Sequence, residues 1–67
     1  MKLEKRNIAT FDEYFEGTNG NKTVKCILDD YCVRYMIIKN GKCTARREFK
    51  NSEKEKCFKN AERALNR

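Results

Sequence analysis

Sixteen basic residues and no histidine decide what chemistry this 67-residue chain can do. Residues 1–30 hold five basic and six acidic groups, whereas residues 31–67 hold eleven and four, so the net charge of +6 comes from the second half. There, "VRYMIIKNGKCTARREF" sets Arg34, Lys42, Thr44 and Arg46 at even-numbered positions, with Lys25 on the stretch before it. Side chains at two-residue steps share one face of a strand. Guanidinium groups on such a face can hold phosphate bidentately or read guanine, an ammonium supplies phosphate charge, and a threonine methyl can meet thymine. A basic half of this kind suits a polyanionic partner.

What is missing narrows the choice. Without histidine the chain lacks the commonest general base and the commonest transition-metal ligand. A chain this short also spends nearly all its apolar residues on packing. No catalytic residue, cofactor or small-molecule substrate is therefore expected, and the protein reads as a binder rather than an enzyme. Cysteines 26, 32, 43 and 57 are six, eleven and fourteen residues apart, with no C-x-x-C pair. A zinc site is not expected from that spacing, and no export signal argues for disulfides. They read as reduced structural thiols, with Cys26 and Cys43 buried. No apolar run is long enough for a membrane span or a secretory signal, so a soluble cytoplasmic protein is expected.

Elements that could carry the basic face follow from local pattern. Residues 1–9 read as either a frayed lead-in or a short edge strand. Residues 10–17, "TFDEYFEG", predict a short helix, with Thr10 as N-cap, Glu13 in capping-box position and Gly17 as its stop. Residues 22–49 predict a three-stranded meander. Val24, Cys26 and Leu28 alternate with polar neighbours, and Asp29-Asp30 is expected as a two-residue turn that sets Leu28 opposite Tyr31. For the second hairpin, a plain Asn40-Gly41 turn would put Arg46 and Glu48 on the apolar side. A three-residue loop Lys39-Asn40-Gly41, with Gly41 at positive φ in a bulge, pairs Ile37 with Cys43, Tyr35 with Ala45 and Tyr31 with Phe49 instead. Residues 52–66 predict a helix capped by Ser52 and Glu55, with Cys57, Phe58, Ala61, Ala64 and Leu65 on one stripe.

The expected architecture is α+β in one small domain, residues 1–67. A three-stranded antiparallel meander packs on one C-terminal helix and follows a short N-terminal helix. Its face away from the helix carries Lys25, Arg34, Lys42, Thr44 and Arg46 as candidate nucleic-acid contacts, with Arg34 in a row between Lys25 and Arg46. Such a like-charge row is destabilising unless a polyanion neutralises it. The same face carries Ile27, Met36 and Ile38, an apolar cluster rimmed by charge that could instead receive a protein.

The run "VRYMIIKNGKCTARREFKNSEKEK" resembles the sheet-plus-helix of AP2-type and tyrosine-recombinase arm-binding DNA domains. Val33-Arg34-Tyr35, Asn40-Gly41-Lys42, Phe49 and Ser52 carry the likeness, over roughly residues 22–66. The resemblance implies that the sheet enters the major groove of duplex DNA and binds without cutting. Double-stranded-RNA-binding domains offer a second likeness, with Lys54 and Lys56 at the start of the last helix. A small inhibitor or adaptor of the phage or mobile-element kind, acting on a host protein, is the alternative from another class. Steep loss of affinity with salt separates the nucleic-acid readings from it.

Overall fold

The alternating and aromatic stretches of the chain build one sheet. The structure, a computed structural model, describes residues 1–7, 13–29 and 31–67. Among these, β1 (Glu4–Arg6), β2 (Glu13–Asn19), β3 (Lys22–Leu28), β4 (Cys32–Lys39) and β5 (Lys42–Lys50) form an antiparallel meander in chain order. A 3-10 turn, Asn51–Glu53, leads into helix α1, Lys54–Asn66, which packs on one face. The α+β class and the C-terminal helix agree with the sequence reading. The sheet, however, has five strands rather than three, and Glu13–Gly17 is strand rather than helix; Thr10 lies outside the described residues.

Gly17 explains the misreading of β2. It does not stop a helix; it lets one approach. A Cβ at Gly17 would lie 2.5 Å from Leu65 Cδ2, so the end of α1 sits directly on this strand. Tyr14 and Phe15 favour strand geometry and point to opposite faces. The turn that returns β2 to β3 is Gly20-Asn21, between paired Asn19 and Lys22, with Gly20 at φ 66°. Glycine at the first central position suits a tight hairpin of this length.

Both later hairpins differ in register from expectation; Val24, Cys26, Leu28, Val33, Tyr35 and Phe49 stay inside, whereas Tyr31 and Cys43 do not. Leu28 pairs with Val33, Cys26 with Tyr35 and Val24 with Ile37, a slip of two from the expected pairs. Three residues, 29–31, separate β3 from β4 instead of two; Asp30 lies outside the described residues, and Asp29 Oδ1 accepts a hydrogen bond from the Tyr31 N–H at 3.3 Å. Tyr31 is consequently 93% exposed instead of facing Leu28.

At the β4–β5 tip, Lys39 pairs with Lys42 across a two-residue turn. Asn40 (φ 51°) and Gly41 (φ 79°) both adopt the left-handed backbone that such a turn requires. The extra residue is Thr44, between the pairs Ile38–Cys43 and Ile37–Ala45. A bulge is present, then, but inside β5 rather than in the loop, and the Thr44 hydroxyl donates to the Ile37 carbonyl at 3.3 Å. Beyond it Phe49 faces Val33 and Arg47 faces Tyr35. Before it Cys43 turns to the other side and is exposed, against the expectation of burial.

The core lies between the helix and the inner sheet face. Leu3, Val24, Cys26, Leu28, Val33, Tyr35 and Phe49 meet Cys57, Ala61, Ala64 and Leu65, all buried. Small residues on the helix stripe permit close approach to the sheet, as the 3.6-residue pattern required. Phe15 and Phe58 meet edge to face at 5.0 Å, and Tyr35 stacks near Phe49 at 6.2 Å. The helix begins without a side-chain cap, and Ser52 is not its N-cap. Its other end is closed by the sheet: Lys22 Nζ donates to the Ala64 and Arg67 carbonyls at 2.7 and 2.8 Å, and Asn19 Nδ2 to the Leu65 carbonyl at 2.9 Å. A cation at a helix C-terminus also meets the negative end of the helix dipole. Among the described residues no helix is long and apolar enough to cross a membrane.

Candidate nucleic-acid interface

With the helix on the inner face, the outer face is set by pairing. One row across the sheet reads Arg6, Tyr14, Ile27, Arg34, Glu48, and the next reads Glu4, Glu16, Lys25, Met36, Arg46. The expected row of Lys25, Arg34 and Arg46 therefore does not form. Met36 separates Lys25 from Arg46, and Arg34 lies between Ile27 and Glu48. The two-residue slip of β4 against β3 and the displaced bulge in β5 are the reasons. Arg46 instead reaches Glu48, with Nη2 3.7 Å from Oε1, and the like-charge row that does form is Lys22, Lys39 and Lys42 at the hairpin end of the sheet.

Of the five sequence candidates, Lys25 is on the central strand β3, Arg34 on β4 and Lys42, Thr44 and Arg46 on β5, where the bulge puts Lys42 on the opposite side from Arg46 rather than on the outer face expected for it. Lys25 and Arg34 are half-buried, and Lys42, Thr44 and Arg46 are exposed. Arg34 Nη1 donates to Cys32 Sγ at 3.6 Å. Thr44 spends its hydroxyl on the Ile37 carbonyl, leaving its methyl for any partner. Lys42 sits at the hairpin tip beside Lys39.

Of the three apolar candidates, Met36 and Ile38 are half-buried, while Ile27 is only 3% exposed. Its neighbour across the sheet, Tyr14, is buried as well. The Tyr14 hydroxyl donates to Glu16 Oε1 at 2.7 Å. Burial, and then this bond to a carboxylate, push the phenol up to about 12.

Charge on the outer face is graded. Glu4 lies across from Glu16 at the β1–β2 side, Arg6 and Lys25 are the outer cations of β1 and β3, and β4 and β5 add Arg34, Arg46 and Lys50. β5 carries Lys42, Arg46, Arg47 and Lys50 against Glu48, and every one of its residues except Phe49 is exposed. Arg47 pairs with Tyr35, on the side of β5 that faces the helix. It extends along the uncovered part of the inner face, with Cζ 4.9 Å above the Phe49 ring, a cation–π contact that orients the guanidinium. Lys39, Arg47 and Lys50 were also legible in "KNGKCTARREFK", through density of charge rather than alternation. On α1, by contrast, Lys56 and Lys59 lie 3.8 Å from Glu53 and Glu55.

Among the described residues no cluster of three or more cysteine, aspartate or glutamate side chains is arranged to hold a metal ion. No protein-family model, curated protein or solved structure matches the chain.

Proposed function

We propose that this protein binds duplex nucleic acid, DNA in preference to RNA, through β5 and the β4–β5 hairpin, and that it does so without catalysis. The main support is the edge strand itself: nine residues, all exposed but one, with four cations on its two sides and one carboxylate. Phosphate affinity grows with the number of such cations. A narrow antiparallel ribbon fits the major groove of B-form DNA, whereas the deep, narrow groove of A-form RNA excludes it. Arg46, Arg47, Lys42 and Lys50 are the principal contacts, with Lys25, Arg34 and the Thr44 methyl at the flank. The resemblance to AP2-type and arm-binding domains points the same way, since those families also present a sheet.

Anisotropy titrations with DNA and RNA duplexes of one sequence test the proposal. Tighter binding to DNA, weakening linearly in log affinity against log salt, is the expected result. No duplex binding even at low salt would sink it. One observation favours a protein partner instead: Tyr31, fully presented beside Asp29, is an aromatic next to a negative charge, which suits a protein surface better than phosphate. Met36 and Ile38 are the accessible apolar residues for that role.

A further inference from the structure

Two hairpin tips at one end of the sheet are joined to each other. Gly20-Asn21 closes β2 onto β3, and Asn40-Gly41 closes β4 onto β5. The Asn40 N–H donates to the Asn21 carbonyl at 3.3 Å, and Asn21 Nδ2 donates to Asn40 Oδ1 at 3.1 Å. Backbone conformation accounts for an asparagine at 40, where φ is 51°, but not at 21, because Gly20 takes the positive φ of that turn. Both residues are exposed, so the amide pair is held at the surface. Their mutual bond spends one N–H of Asn21 and engages the Asn40 oxygen. The Asn21 oxygen is left as an acceptor and the Asn40 amide nitrogen as a donor.

Beside the tips lies an open hollow of about 530 Å³, lined by Glu16, Thr23, Lys25 and Ile38 as well as by both asparagines. An acid and a base there offset each other, so a phosphate gains little in it. A neutral base edge that sets a donor beside an acceptor suits the two amides better. Lys39 and Lys42, paired and exposed at the foot of the tip, supply the charge for flanking phosphates.

We propose that the joined tips read one A·T base pair in the major groove; this rests on the duplex-DNA reading above and adds sequence preference to it. Adenine presents its N6 amino group and N7 there. The Asn21 oxygen accepts from N6, and the Asn40 amide donates to N7. Ile38 meets the methyl of the paired thymine. Guanine instead presents two acceptors, which sets its O6 against the Asn21 oxygen. Because the amides already hold each other, little side-chain freedom is lost on contact.

The test begins with selection by the wild-type protein from duplexes carrying a randomised central segment, followed by anisotropy titrations on the enriched sequence. At one position A·T should bind roughly 5–100-fold more tightly than G·C. Placing 7-deazaadenine there removes the N7 acceptor and should weaken wild type by roughly 3–10-fold. Asn40→Gly keeps the left-handed turn and should be indifferent to the same replacement. The wild-type titrations decide the matter should that variant not fold. Duplex binding without any base preference would overturn the proposal and leave the phosphate contacts of β5 standing. So would equal affinity for adenine and 7-deazaadenine, or an undiminished 7-deaza penalty in Asn40→Gly. Absence of all duplex binding would remove both readings together.

Discussion

Lys22 shows how much one residue's setting matters in a chain this small. Its position in "NGNKTVK" suggests another solvated lysine, yet it is 9% exposed and ends on two carbonyls at the C-terminus of α1. Lys22→Met keeps the stem and removes both bonds, and it should cost about 1–3 kcal/mol in urea denaturation. A substitution that leaves stability unchanged would mean that water caps the helix equally well. Tyr14 gives a pH-dependent counterpart. Its folded-state pKa, about 12, lies above the ordinary 10. The folded state therefore holds this proton more tightly, and the resulting stability is complete below pH 10 and lost as pH rises from 10 to 12. The stability advantage of wild type over Tyr14→Phe should be constant up to about pH 9.5 and shrink above it. An advantage that grows with pH would contradict the buried, hydrogen-bonded phenol.

At the scale of elements, pattern revealed faces better than partners. β3, β4 and α1 were legible because period 2 and period 3.6 stand out in "KTVKCIL", "CVRYMII" and "CFKNAERAL". β2 was hidden because Tyr14 and Phe15 are apolar on both faces and Thr10, Glu13 and Gly17 imitate helix punctuation. Registers were wrong by two residues at both later hairpins, and a shift of two preserves parity, so the core-facing side was right except for Cys43 and Lys42, which the bulge at Thr44 turns over. Only the turns could have distinguished them, and Asp29-Asp30 is a weak turn signal beside Asn40-Gly41. That stronger signal did give positive φ at Gly41 correctly, though with the extra residue assigned to the loop instead of Thr44. Gly41→Ala should destabilise by about 1 kcal/mol or more, because a Cβ is strained there whatever the open space around it. Equal stability of the two proteins would argue for a different turn.

On the scale of the whole molecule, charge is distributed by element. The helix pairs part of its lysines with glutamates along its surface, β1 and β2 bring Glu4 and Glu16 together, and β5 carries the largest excess of cations of any element, four against one carboxylate. The candidate site was legible as a basic strand. The expected row of Lys25, Arg34 and Arg46 does not form, because it depended on the register the turns concealed. The functional reading now rests on both sides of one edge strand, with Arg46 on the outer side and Arg47 on the inner. The most direct measurement is the salt dependence of duplex DNA affinity for wild type, Arg46→Ala/Arg47→Ala and Lys56→Ala/Lys59→Ala. Each lost phosphate contact should flatten the plot of log affinity against log salt by roughly 0.9. The arginine pair should therefore lower both affinity and slope, while the helix pair leaves them near wild type. Equal losses from the two pairs, or full affinity in a natively folded arginine double variant, would contradict an interface on β5.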